Sequence, residues 1–286
     1  MAGPFFQPAR TGAIIQARTA STRLPGKILK ELPWESGITV LEQVIRRVKK
    51  AASLDRIIVA TTQNPKDDPV VEIAEKEGVR CFRGPEQDVL ERYFRAAEEF
   101  GLEMIVRVTS DCPCMDPQVL DLVVKALSDS GADYASNTLE RTWPHGLDAE
   151  AFTAAALERS FREAKRDFER EHVTPYIYRS GRFKIKKVEA PPESSAPEIR
   201  ITLDTIEDYA LLCAVYDYLY PGDHFFGAKA IVELFRVKPW LKLIYGKVTQ
   251  KKIFGTLEEE LQEAVKLLDL QDLRRAGDLV RERINS

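Results

Sequence analysis

Between Gly12 and Leu127 one unit recurs: a short apolar run rich in β-branched residues, a turn, then a segment with helical periodicity. The strand-like runs are Gly12 to Ala17, Ile57 to Ala60, Val79 to Phe82 and Met104 to Val108; the helical stretches are Leu41 to Lys50, Val70 to Lys76, Asp88 to Phe100 and Gln118 to Leu127. Alternation of this kind forces strand, crossover helix and parallel strand, with helices on both faces of one sheet. Punctuation agrees with the rhythm. Thr39 and Glu42 have capping-box spacing, and Gly78 and Gly101 stand where helices end. The expected fold is α/β, a Rossmann-like three-layer sandwich around a mostly parallel, mixed sheet.

Beyond Tyr134 the rhythm loosens. Ala154 to Arg166, Arg170 to Tyr178 and Ile206 to Tyr220 read as helices, while Phe183 to Glu189 and Arg200 to Leu203 read as extended. Pro191, Pro192, Ser194, Ser195 and Pro197 mark an exposed loop. Leu257 to Ile284 reads as two charged amphipathic helices, free to cover the sheet, a neighbouring subunit in a homodimer, or nothing. The expected organisation is a flexible tail over 1–11, a main domain over 12–236 and a C-terminal helical extension over 237–286.

Composition removes several classes of function. Apolar residues make up 44% of the 286 and charged residues 30%, which supplies a core and a solvated surface and argues against disorder. The 42 Lys and Arg against 45 Asp and Glu leave a net charge of -3, so the chain has no general basic footprint for nucleic acid. The apolar stretch Ala210 to Tyr220 is broken by Asp217 and falls short of the roughly 18 residues of a membrane span. Met1 to Thr11 lacks the apolar run of a secretory signal. Cys81, Cys112, Cys114 and Cys213 are too sparse for a disulfide framework, and no histidine or second pair completes a zinc site around Cys112 and Cys114. A cytoplasmic protein is expected.

Chemistry concentrates directly after the first strand, in Gln16-Ala-Arg-Thr-Ala-Ser-Thr-Arg-Leu-Pro-Gly-Lys27. Arg18, Arg23 and Lys27 bring three cations to a strand end, with hydroxyls at Thr19, Ser21 and Thr22 and a Pro25-Gly26 turn. Guanidiniums fork onto phosphate oxygens and an ammonium adds point charge, so the loop reads as an anion cradle. It is not a Walker A loop: Ser21 stands where the first glycine is required, and Ile28 replaces the closing Ser or Thr. Asp111 follows the strand ending at Val108, and Asp204 follows Arg200 to Leu203, so both can project into one cleft as hard ligands for Mg2+. The competing reading of Asp204 is a helix cap. Asp88 and Arg92, four apart on one helix, are spaced for an ion pair.

The string from Ala17 to Lys27 resembles the A-R-x-x-S-x-R-L-P-G-K pattern of the CMP-sugar cytidylyltransferases, nearest to the SpsF-type branch, with the Kdo and acylneuraminate cytidylyltransferases as cousins. The resemblance continues in order through Arg83-Gly84, Asp88 to Arg92, Ser110 to Pro113, Gly146 to Glu150, Arg170 to Pro175 and Asp204 to Asp208. It implies a nucleotide site of Ala17, Arg18, Ser21, Arg23, Lys27, Arg83, Asp88, Arg92 and Asp111, and a metal held by Asp111 and Asp204. Catalysis would fall to Arg18, Lys27, Asp111 and Asp204, and the acceptor to Asp148, Glu150, Glu171 and His172. The implied partners are CTP and a sugar or sugar-acid acceptor.

Two other readings compete. A nucleotide-sugar-dependent glycosyltransferase shares the architecture, but the D-x-D common in that class is missing, since Cys112 and Pro113 follow Asp111. A non-catalytic nucleotide-binding module is the other, and retention of both acids and all three cations argues against it.

Overall fold

The structure is a computed structural model that describes residues 10–246 and 256–284. Strands β1 (Thr11–Gln16), β2 (Arg56–Thr62), β3 (Arg80–Gly84), β4 (Met104–Thr109), β5 (Tyr134–Ser136), β6 (Glu150–Thr153) and β7 (Ile185–Lys187) form one sheet, ordered β3-β2-β1-β4-β6-β5-β7. The half β3-β2-β1-β4 is parallel. β6 then runs antiparallel to both β4 and β5, and β7 parallel to β5. The mostly parallel mixed sheet read from the sequence is the sheet observed.

Around it lie α1 (Val40–Val48), α2 (Asp68–Lys76), α3 (Val89–Glu99), α4 (Pro117–Ser130), α5 (Ala154–Glu163), α6 (Asp167–His172), α7 (Pro175–Arg179), α8 (Ile206–Leu219), α9 (Ala228–Val237) and α10 (Lys242–Tyr245). Strand residues alternate between faces. Ala13, Ile15, Val59, Val106 and Val108 join a core with α1, α2, α4, α8 and α9, while Ile14, Ile58 and Ile105 join a second with α3, α5 and α7. Helices therefore cover both faces. Thr39 and Glu42 form the predicted capping box of α1, with Thr39 N–H donating to Glu42 at 2.6 Å.

Some expectations need correction. The extended segment Arg200 to Leu203 contributes an isolated bridge between His145 and Arg200 and no sheet strand, because its N–H groups turn instead to Asp111 and His145. The helix expected over Arg170 to Tyr178 breaks into α6 and α7 at Val173, whose φ of 71° no helix accommodates. Of the tail expected over 1–11, residues 1–9 lie outside the described ones, and the last two belong to the domain: Arg10 O accepts from Glu103 and Met104 N–H, and Thr11 begins β1. The boundary at 236 also moves. Leu241 is buried in the first core and the first compact unit runs to Lys247. In the second unit, residues 248–255 and 285–286 lie outside the described ones. There α11 (Leu257–Leu270) and α12 (Arg274–Ile284) pair through Arg281 and Asp269, at 2.7 and 2.5 Å. None of the described helices is long and apolar enough to cross a membrane.

Candidate active site

β1 lies between β2 and β4, so the chain departs in opposite directions from the carboxyl ends of β1 and β4. Open α/β sheets bind ligands at such a switch point. The loop after β1 begins with buried Ala17, whose N–H donates to Ala60 O at 3.1 Å. It closes on itself where Gly26 N–H donates to Thr19 O at 3.0 Å, with Gly26 at φ 66°, a conformation that favours glycine. Asp67 anchors the loop from outside by accepting from Thr19 N–H at 2.7 Å, Thr19 Oγ1 at 2.8 Å and the Thr62 hydroxyl. Ser21 Oγ accepts from Leu24 N–H at 3.4 Å, a local turn bond. Arg18 is exposed and makes no hydrogen bond or ion pair among the described residues.

Lys27, Asp111 and Asp204 converge. The Lys27 ammonium donates to Asp111 Oδ2 at 2.8 Å, Asp204 Oδ1 at 3.0 Å and Leu203 O at 2.7 Å. Arg23 reaches the same Asp204 oxygen at 2.9 Å. Leu203 N–H donates to Asp111 O at 2.8 Å, which ties the two acid-bearing segments together. Thr205, not Asp204, caps α8, in a box with Asp208. The capping reading of Asp204 is thereby removed, and its side chain is left to the cleft.

Buried Arg200 holds the other side of this acid, donating to Asp204 Oδ2 at 2.9 Å and to Asp208 at 2.9 and 3.0 Å. Burial works to raise the Asp204 carboxyl, but Lys27, Arg200 and Arg23 outweigh it and hold the group down to about 2. Burial likewise opposes the charge on Lys27, and the two aspartates more than offset it, so its pKa is raised. Both groups are ionised at neutral pH. The two carboxylates sit on one cation, in the arrangement that a hard divalent ion would need, and Mg2+ commonly takes one or two carboxylates beside phosphates and water. Among the described residues no group of three or more His, Cys, Asp or Glu forms a metal site, so further ligands would come from substrate and solvent. Cys112, beside Asp111, is buried, and that burial pushes its thiol well up.

The predicted acceptor residues divide. Asp148 is half-buried and bound by both arms of Arg141 at 2.8 and 3.0 Å; burial raises its carboxyl, but Arg141 and His145 pull it below the usual range. His145 links this pair to Asp204 through Arg200, since its Nδ1 lies 3.2 Å from Arg200 Nη1. Its pKa is lowered by burial first, and by Arg141 and Arg200. Gly146 is required here: at φ 114°, a Cβ would meet Ile201 C and O at 2.7 Å. Glu150 is not a lining residue. It lies buried on β6, accepts from Tyr134 Oη at 2.5 Å, Thr174 Oγ1 at 2.8 Å and the Arg107 guanidinium, and so fastens the start of α7 to the sheet. Glu171 is exposed, with no hydrogen bond or ion pair among the described residues, and His172 is half-buried. Next to them stands Val173 at φ 71°, a strained position for a β-branched residue and a feature that concentrates at functional turns.

Three nucleotide-site expectations also change. Asp88 and Arg92 do not pair, because Asp88 caps α3 and binds Arg170 at 2.6 and 2.5 Å instead. Arg92 is buried and donates to the carbonyls of Pro85 and Glu86 at 3.0 and 3.1 Å, shaping the turn rather than presenting charge. Arg83 binds Thr62 O at 2.8 Å, Asn64 O at 2.7 Å and Asp68 at 2.6 Å, which leaves its guanidinium clamping the turn after β2. The open concavity lined by Lys49, Arg56, Arg80 and Phe100 lies at the amino-terminal ends of β2 and β3 and holds none of the predicted residues.

A parallel-cored sheet with this loop and these acids is what the nucleotidyltransferase fold presents, and the sequence profile of the cytidylyltransferase family matches residues 12–221. The chain belongs to that family. Among its relatives is the spore coat polysaccharide biosynthesis protein SpsF of Bacillus subtilis, 37% identical over 209 residues, covering 71% of this chain and 85% of SpsF. An uncharacterised protein of Methanocaldococcus jannaschii, MJ1063, is 38% identical over 243 residues, covering 83% of this chain and 95% of its own. A solved cytidylyltransferase from Leptospira borgpetersenii superposes with a TM-score of 0.75 at 34% identity, over 86% of this chain and 99% of that one.

Proposed function

We propose that this protein transfers CMP from CTP to a hydroxyl of a sugar, sugar acid or related polyol and releases pyrophosphate, serving surface polysaccharide or glycan synthesis in the cytoplasm. The observation that carries the reading is the junction of Lys27 with Asp111 and Asp204, directly after an anion loop at the β1/β4 switch point. The acceptor oxygen forms a bond to the α-phosphorus, the bond from that phosphorus to the β-phosphate oxygen breaks, and the acceptor hydroxyl loses its proton. Arg18, Arg23 and Lys27 face the charge that grows on the departing pyrophosphate, and fixed cations of this kind lower the barrier with little covalent participation. Asp111 and Asp204 are the residues to hold Mg2+, which when bound neutralises phosphate charge. Asp148, Glu171 and His172 are the residues assigned here to a polyhydroxylated acceptor, on the resemblance of their segments to the SpsF-type pattern.

Magnesium-dependent pyrophosphate release, measured with each of the four nucleoside triphosphates against a panel of sugars, sugar acids and phosphorylated polyols, tests this reading. Release with CTP and one acceptor class is expected; nucleotide-sugar hydrolysis without pyrophosphate formation would favour the glycosyltransferase. Asp111→Asn and Lys27→Ala should each lower kcat by at least about 100-fold, the scale of a lost preorganised charge. Near-wild-type turnover in either variant would overturn its role.

A further inference from the structure

Lys27 is assigned above to the triphosphate, yet its ammonium is already engaged within the protein. An ammonium has three N–H donors, and here they meet three oxygens, on Asp111, Asp204 and Leu203, at 2.7 to 3.0 Å. The side chain is only 12% exposed. A divalent ion between the same carboxylates would stand within contact distance of that ammonium, and two cations in a partly shielded cleft repel strongly. The positions exclude one another. Without a cation, in turn, the two acids would repel each other.

We propose that Lys27 plugs the metal site in the resting protein, and that phosphate oxygens of an arriving nucleoside triphosphate draw its ammonium off Asp111 and Asp204 so that a divalent ion takes its place. The proposal rests on Asp111 and Asp204 as the metal ligands. Lys27 is built for such a swap. It opens a single 3-10 turn just after Gly26, its four-carbon stem carries a compact charge, and the anion loop with unengaged Arg18 lies directly upstream. Arg23 on Asp204 is a second cation that phosphate can recruit, freeing that carboxylate further. Metal and nucleotide then enter as one event, and free Mg2+ gains no foothold.

Binding of Mn2+ to the full chain, followed by the electron paramagnetic resonance of the free ion, tests the plug without turnover. The wild type should leave Mn2+ free when alone or with CMP, and bind it with CTP. Lys27→Met and Lys27→Gln should bind Mn2+ without nucleotide at least about tenfold more tightly than wild type, and adding Asp111→Asn should abolish this. In the wild type, the Lys27 ammonium resonance should hold still with Mg2+ alone and move with Mg2+ and CTP. Tight nucleotide-free Mn2+ binding by the wild type, or a resonance displaced by Mg2+ alone, overturns the plug. Persistence of the variants' Mn2+ binding after Asp111→Asn overturns the site. Expected binding throughout, with no pyrophosphate from any acceptor, sinks the transferase reading and leaves the plug standing.

Discussion

Arg200 carries no motif, yet its guanidinium binds Asp204 and Asp208 at once and touches His145. Replacing it with methionine takes the counter-ion from fully buried Asp208 and one of three cations from Asp204, and should cost about 3–5 kcal/mol in urea denaturation, the range for breaking a buried ion pair. Asp204 itself makes stability depend on acid. Its folded pKa, about 2, lies below the ordinary carboxylate value of 3.8, so its contribution is present above pH 4 and fades as pH falls from there toward 2. Lys27, raised, behaves in the opposite sense, its contribution fading as pH climbs beyond 10.5. A Lys27→Met chain should lose the alkaline decline, and Asp204→Asn should flatten the acid one; unchanged profiles in thermal melts taken against pH would contradict the coupling. The meeting of Lys27 with Asp111 was legible because both lie in loops that follow sheet strands, whereas Asp204 was read into the same cleft from an extended segment that forms no strand. Arg200 and Asp67 were not, since one arginine in R-I-T-L-D and one aspartate in N-P-K-D look like ordinary surface.

At the scale of elements, the four parallel strands and their helices were readable because each was bounded by a cap or a terminal glycine. β5 and β6 were not, being only Tyr134–Ser136 and Glu150–Thr153, too short to display a period of two. The resemblance put Glu150 in the pocket, and only its register against Arg107 reveals a buried cross-strand ion pair. The same carboxylate reaches the α6–α7 break. Thr174 binds Glu150 one residue after strained Val173, so Thr174→Val should cost about 2 kcal/mol for a hydrogen bond to a charged acceptor. It should also raise the acceptor KM while leaving the CTP KM near wild type. An unchanged acceptor KM would detach this turn from the acceptor.

For the whole molecule, the core that supports the site is complete before residue 248, with both buried clusters drawn from the first unit. A chain ending at Lys247 should therefore unfold at the same temperature as the full chain in calorimetry; a large drop would show that the second unit stabilises the first. Chain order within that unit also sets a timetable. β1 is made first, but its neighbours arrive later, and Gln16 waits for Thr109. Lys27 waits longer still, because Asp204 follows it by 177 positions. At the roughly 5–20 residues per second of synthesis, the junction of Lys27 with Asp204 comes together about 9–35 s after its lysine is made, and a ribosome stalled anywhere before Asp204 holds a nascent sheet with no junction in it.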